Sequence, residues 1–112
     1  MKREERVELI TLERLLEMRE NGENFKLVEV LPEPSFQEGH LPNAINIPVE
    51  KLETEAPKYL GKHDNVVVYC GGFACTASTQ AAKKLKELGY KHTLDYKAGK
   101  SGWKAAGLQL AA

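Results

Sequence analysis

Apolar residues fall into short blocks whose spacing alternates between a strand rhythm and a helix rhythm, with glycine and proline at the joins. Val7 to Ile10 predicts a short first strand. Thr11 is a predicted N-cap for a helix with Leu12, Leu15 and Leu16 on one face, stopped at Asn21-Gly22. Lys26 to Leu31 predicts a mostly buried strand, ended by Pro32 and Pro34, neither of which can donate to a sheet ladder. A turn or short helix is expected at Ser35 to Gly39, a brief strand at Ala44 to Ile47, and a helix at Val49 to Leu60 broken or bent near Pro57. Asn65 to Tyr69 is the clearest strand, because a continuous β-branched run suits a central parallel strand covered on both faces. Thr76 to Leu88 is the clearest helix. Ala77, Ala81, Leu85 and Leu88 share one side, Lys83, Lys84, Lys86 and Glu87 occupy the rest, and Gly89 sits at a C-terminal capping position. A strand at His92 to Tyr96, a turn through Gly99, and a short helix at Trp103 to Ala106 ended by Gly107 complete the pattern.

Strand and helix alternate without an internal repeat, which predicts an α/β fold. Each parallel crossover needs a covering element, so the expected sheet is parallel with helices on both faces. Ligands bind such sheets at the carboxyl ends of the strands, and Cys70 ends the central one. Composition narrows the class. With 112 residues, 42% of them hydrophobic, one domain spanning residues 1–112 is expected. The 16 Lys and Arg balance 16 Asp and Glu, so no basic excess points to nucleic acid or an anionic membrane surface. No apolar run approaches the ~20 residues that span a bilayer, and Met1-Lys2-Arg3-Glu4-Glu5 leads into no apolar signal region. A cytoplasmic location and a monomer or weak dimer are expected. Both cysteines lie within Cys70 to Ser78, which speaks for chemistry rather than a disulfide scaffold.

The residues after Cys70 are small or hydroxylic until the helix begins. Gly71 and Gly72 are expected to take backbone angles that other residues avoid, curling the loop and turning successive N–H groups inward. A ring of amides beside a helix N-terminus attracts anions, and it is expected to lower the Cys70 thiol from its free pKa of about 8.5. The pattern fits a nucleophile in a cradle for a small anion. The competing explanation is a buried core cysteine that happens to end a strand.

Three segments, in order, resemble the single-domain rhodanese (sulfurtransferase) family: Leu27-Val28-Glu29-Val30-Leu31 through Phe36-Gln37-Glu38-Gly39-His40-Leu41-Pro42-Asn43-Ala44-Ile45-Asn46-Ile47-Pro48; Val66-Val67-Val68-Tyr69-Cys70 with its loop and Ala81-Ala82-Lys83-Lys84-Leu85; and Asp95-Tyr96-Lys97-Ala98-Gly99 with Trp103-Lys104-Ala105-Ala106-Gly107-Leu108. The resemblance implies a three-layer fold around a five-stranded parallel sheet, with neither cofactor nor metal. It implies that Cys70 is catalytic and carries a sulfane sulfur as a persulfide, taken from a donor such as thiosulfate and passed to a thiophilic acceptor, a thiol or a protein. The implied anion-binding loop is Gly71, Gly72, Phe73, Ala74, Cys75, Thr76, Ala77 and Ser78.

Three departures from the family pattern bear on that chemistry. No Arg or Lys occurs from Gly71 to Ser78, so anion binding is left to backbone N–H groups and the hydroxyls of Thr76 and Ser78. The loop is about two residues longer than the common form, which hints at a larger anion and at an arsenate reductase or phosphatase as an alternative. The missing Arg argues against phosphoryl transfer, which depends on neutralising spread charge. Glu29 and Leu31 stand where the family usually has Asp and Arg. A non-catalytic protein-binding module is the remaining alternative.

Cys75 can be a redox partner that resolves a persulfide or an oxidised Cys70, or a small residue pinning the loop. The spacing of His40, His63 and His92 from the thiols gives no zinc site. His40 is expected to fix backbone, His63 and His92 to lie on the surface, Trp103 to plug the core, and Lys83, Lys84 and Lys86 to form a solvated helix face. Glu29 is either a hydrogen-bonding anchor or a partly buried group near the site.

Overall fold

A computed structural model describes residues 6–112. The expectation for Met1 to Glu5 lies outside those residues. Strands β1 (Glu8–Leu9), β2 (Lys26–Glu29), β3 (Ile45–Asn46), β4 (Val66–Tyr69) and β5 (Thr93–Tyr96) form one sheet in the order β1-β5-β4-β2-β3. Every pairing in it is parallel. Helices α1 (Leu12–Glu20), α2 (Glu33–Glu38), α3 (Leu52–Tyr59), α4 (Ala77–Glu87) and α5 (Gly99–Ala105) connect and cover it.

Side-chain alternation along β4 builds the two faces. Val66, Val68 and Cys70 pack with Leu52 and Ala56 of α3 and Ala81, Ala82 and Leu85 of α4. Val67 and Tyr69 point the other way, toward Leu15 and Met18 of α1, Trp103 of α5 and Leu41. All four β4 residues are buried, which accounts for a run with no polar alternation. Trp103 is the expected core plug; its indole N–H donates to the Gln109 carbonyl at 3.0 Å, and the Arg19 guanidinium lies over its ring. Thr11 caps α1 by accepting from the Arg14 amide, and Gly89 follows α4 in a left-handed conformation, both at the predicted positions.

The strands are one or two residues shorter than expected, and three helical boundaries differ for physical reasons. Helix α2 starts at Glu33 and takes Pro34 into its first turn, where a helix needs no N–H donor, so only Pro32 acts as the terminator. The break in the 49–60 segment falls at Lys51, between a 3₁₀ turn (Val49–Lys51) and α3, and not at Pro57. Pro57 lies inside α3 with its face exposed, so water can serve the Glu53 carbonyl that its missing N–H leaves free. Helix α5 begins at Gly99 rather than at Trp103, which brings its first turn against the end of β4. No helix among the described residues is long and apolar enough to cross a membrane.

Candidate active site

Because the sheet is parallel, the carboxyl ends of β4 and β5 lie side by side, with Tyr69 opposite Tyr96. The residues that follow these strands therefore meet. Cys70 continues the inward-facing row of β4 and is 1% exposed. The chain then bends outward through Gly71 to Thr76, with Phe73 at its tip 71% exposed, and returns so that Cys75 hangs beside Cys70. The turn is closed by the Cys75 amide donating to the Gly72 carbonyl at 3.0 Å. The Cys70 thiol donates to the Cys75 carbonyl at 3.6 Å. Both cysteines are free.

Of the predicted loop residues, Cys70, Cys75 and Ser78 come together. Ser78 is buried in the first turn of α4. Thr76 is exposed and its hydroxyl accepts from the Gln80 amide at 3.1 Å, while Phe73 and Ala74 face solvent. Neither Gly71 nor Gly72 has the positive φ expected of them; the left-handed glycine that shapes this corner is Gly99, at φ +58°. Its missing side chain leaves room for the Cys70 carbonyl, which would lie 2.3 Å from a Cβ there. The Lys100 and Ser101 amides of α5 then donate to the carbonyls of Cys70 and Gly71 at 3.0 and 2.9 Å.

The charge distribution reverses an expectation. Burial pushes the Cys70 thiol up, and the hydrogen bond with Cys75 adds to this, outweighing the Ser78 hydroxyl and amide that favour its anion. Burial also acts to raise Cys75. There, however, the bond from Cys70, the amides of Gly71 and Ala77 and the charge of Lys97 together prevail and hold the thiol down. The loop amides are thus divided between two sulfurs, and of the pair Cys75 is the more readily ionised. Iodoacetamide is accordingly expected to modify Cys75 first, with an onset below the free-thiol pKa of about 8.5, and Cys70 only slowly. Peptide mass mapping over a pH series measures this, and modification of Cys70 first would contradict it.

A family profile for the rhodanese-like domain matches residues 11–106. The chain belongs to the rhodanese-like family. An HTH-type transcriptional regulator of Mycobacterium tuberculosis is 36% identical to it over 101 residues, covering 90% of this chain and 43% of the regulator. The thiosulfate sulfurtransferase PspE of Escherichia coli is 38% identical over 69 residues, covering 58% of this chain and 62% of PspE. A crystal structure of a Bacillus halodurans protein matches with a TM-score of 0.86 at 27% identity, over 94% of this chain and 77% of that one. This rhodanese-like chain spans less than two thirds of either curated relative.

The rhodanese-like fold also accounts for two departures in the sequence. The loop carries no cation, but Lys97, directly after β5, extends its ammonium to the carbonyls of Phe73 and Cys75 at 3.3 and 3.5 Å. The chain pattern does hold a signal for it: in a parallel sheet, the residue after a neighbouring strand reaches the same edge. Glu29 is the hydrogen-bonding anchor. It is fully buried, accepts from the Tyr69 hydroxyl at 2.7 Å and pairs with Lys100 at 3.1 Å. Burial pushes the Tyr69 phenol up, so it stays a donor to Glu29, and its oxygen accepts from the Leu41 amide at 3.0 Å. This network ties β2, β4, α5 and the Gly-His-Leu-Pro segment together on the face opposite Cys70.

The remaining residues take structural places. The His40 ring stacks on Phe36 and bonds to the Phe36 carbonyl at 2.9 Å, while its backbone pairs with Ala111. Thus His40 fixes backbone. His63 and His92 are exposed. Lys83 is exposed as expected, whereas Lys84 pairs with Glu53 of α3 and Lys86, its side chain 11% exposed, pairs with Glu8 of β1, so the three lysines do not form one solvated face. No group of three or more His, Cys, Asp or Glu side chains among the described residues is arranged to hold a metal ion.

Proposed function

We propose that this chain moves a sulfane sulfur through a persulfide on Cys70, taken from a small anion such as thiosulfate and passed to a small-molecule or protein thiol. The observation that carries this reading is a buried, unspent donor: the Ser78 hydroxyl, in the first turn of α4, has no hydrogen-bond partner. A persulfide anion on Cys70 gives that hydroxyl and the Ser78 amide an acceptor.

In the loading step the Cys70 sulfur attacks the outer sulfur of thiosulfate, and the thiol proton passes to the departing sulfite. A new sulfur–sulfur bond forms at Cys70, the old one in the donor breaks, and sulfite departs with the bonding pair. In the unloading step an acceptor thiolate attacks the outer sulfur and Cys70 is restored. The likeness to PspE supports thiosulfate as donor, and the two free thiols suit a cytoplasmic location. In this reading residues 1–112 act as one domain.

Arsenate reduction or phosphate-ester hydrolysis ranks lower. The Lys97 ammonium near the loop is engaged by two carbonyls, and spread oxyanion charge needs more neutralisation than that. The reading is tested by mixing the reduced protein with thiosulfate. The expected result is a burst of sulfite, with thiocyanate formed when cyanide is present from the start as acceptor of the outer sulfur, and negligible turnover of a phosphate ester. Absence of sulfite would sink it. An unreactive Cys70 together with a stable protein complex would favour a binding module, in line with the likeness to a transcriptional regulator.

A further inference from the structure

We propose that Cys75 resolves the Cys70 persulfide, so that the chain reduces a sulfane sulfur to hydrosulfide and keeps the oxidation as an internal Cys70–Cys75 disulfide. The proposal rests on the persulfide of the preceding section and adds a second outcome for it.

A persulfide on Cys70 has two sulfurs open to attack, and they lead to different products. An acceptor that attacks the outer sulfur takes it away, which is transfer. A nucleophile that attacks the inner sulfur, Sγ of Cys70, expels the outer one as hydrosulfide. That inner sulfur belongs to a residue 1% exposed, and the outer sulfur left by the donor occupies the side from which the donor came, between the inner sulfur and a thiol arriving from solvent. Cys75 needs no access route. The turn closed between Gly72 and Cys75 brings it back over Cys70, with the Cys70 sulfur 3.6 Å from the Cys75 carbonyl. The Gly71 and Ala77 amides and the Lys97 ammonium favour the anionic form of Cys75, which is the attacking form.

Atoms and electrons balance as follows. Loading converts one Cys70 thiol and one thiosulfate into a persulfide and sulfite. Cys75, ionised to its thiolate, then forms a bond to Sγ of Cys70, the bond to the outer sulfur breaks, and that sulfur leaves with the electron pair and the proton given up by Cys75 as hydrosulfide. The sum is two thiols and thiosulfate giving a disulfide, hydrosulfide and hydrogen sulfite. The outer sulfur is reduced by two electrons, and the cysteine pair supplies them. A dithiol reductant returns the pair to the thiol state.

The test uses the reduced protein, Cys75→Ser, Cys75→Ala and Cys70→Ser, mixed with thiosulfate without oxygen or added thiol, then quenched with an alkylating reagent. Sulfite, hydrosulfide and intact mass are measured, and circular dichroism confirms that each variant is folded. Two Cys75 variants guard against one that fails to fold. The unsubstituted protein is expected to release sulfite and stoichiometric hydrosulfide and to resist alkylation at both cysteines. The Cys75 variants are expected to release sulfite, lose hydrosulfide release, and hold one extra sulfur on Cys70. Cys70→Ser is expected to do neither. Sulfite release with a persulfide that persists in the unsubstituted protein overturns resolution and leaves the carrier reading standing. Hydrosulfide release that survives in the Cys75 variants also overturns resolution. Absence of sulfite from every form overturns the persulfide reading, and this proposal with it.

Discussion

Cys70→Ser is expected to abolish the sulfite burst and lower thiocyanate formation by at least about 10³-fold, while leaving a folded protein. Serine replaces the sulfur by an oxygen whose conjugate base is inaccessible near neutral pH, and an oxygen cannot hold a sulfane sulfur as a persulfide. The fold does not depend on the sulfur. Its neighbours at that end of β4 are held by backbone, through the Lys100 amide on the Cys70 carbonyl and the pairing of β4 with β2 and β5. A hydroxyl can still donate toward the Cys75 carbonyl, so the melting temperature is expected to fall by no more than about 5 °C. Calorimetry beside the sulfite assay separates the two effects. Retained turnover in Cys70→Ser, lost only when Cys75 is also replaced, would move the carrier to Cys75.

Gly99→Ala is expected to have the largest effect on stability, and the site is expected to fail with it. The position has φ +58°, which costs an alanine about 1 to 2 kcal/mol. The new methyl would also lie 2.3 Å from the Cys70 carbonyl oxygen and 2.9 Å from both the Gly71 carbonyl carbon and the Gly72 nitrogen. Those are backbone atoms, so either the loop or the first turn of α5 must move. Both hydrogen bonds from Lys100 and Ser101 are then lost, at about 1 kcal/mol each. Together the losses reach about 3 to 4 kcal/mol, a drop in melting temperature of roughly 15 to 25 °C. Sulfite release is expected to fall at least about tenfold even below the melting transition, because displacing the Cys70 carbonyl moves the nucleophile. An unchanged melting temperature and burst would show that the corner accommodates a side chain.

Much of the fold was legible because it is written in local pattern. The β-branched run from Val66 to Val68 announces a strand covered on both faces, and the spacing of Ala77, Ala81 and Leu85 announces the helix that covers it. Cys70 follows from those two elements and from the rule that sites form at strand ends. What sequence pattern missed depends on tertiary approach. Lys97 and Gly99 matter because β5 lies beside β4, and the need for glycine at position 99 arises from the carbonyl of a residue 29 positions away. The proton distribution was misjudged for a related reason. Loop composition suggests amides around one sulfur, but burial of Cys70 and the nearness of Cys75 and Lys97 decide which thiol loses its proton. The expected bend at Pro57 overlooked solvent, which tolerates a missing donor on an outer helical face.

Tyr69 and Cys70 are consecutive in the chain and address opposite layers of the sheet. Tyr69 joins Glu29, Lys100 and Leu41 on one side, while Cys70 meets Cys75 and Ser78 on the other. The scaffold's polar fastening and its reactive pair are therefore insulated from each other by the thickness of a single strand. The exposed part of the loop from Gly71 to Thr76 can exchange residues, and with them donor preference or reactivity, without unfastening the fold. Conversely, a substitution at Tyr69 would loosen the frame without touching a reacting atom. A scaffold divided in this way can be retuned chemically at low structural risk, one residue from its own fastening.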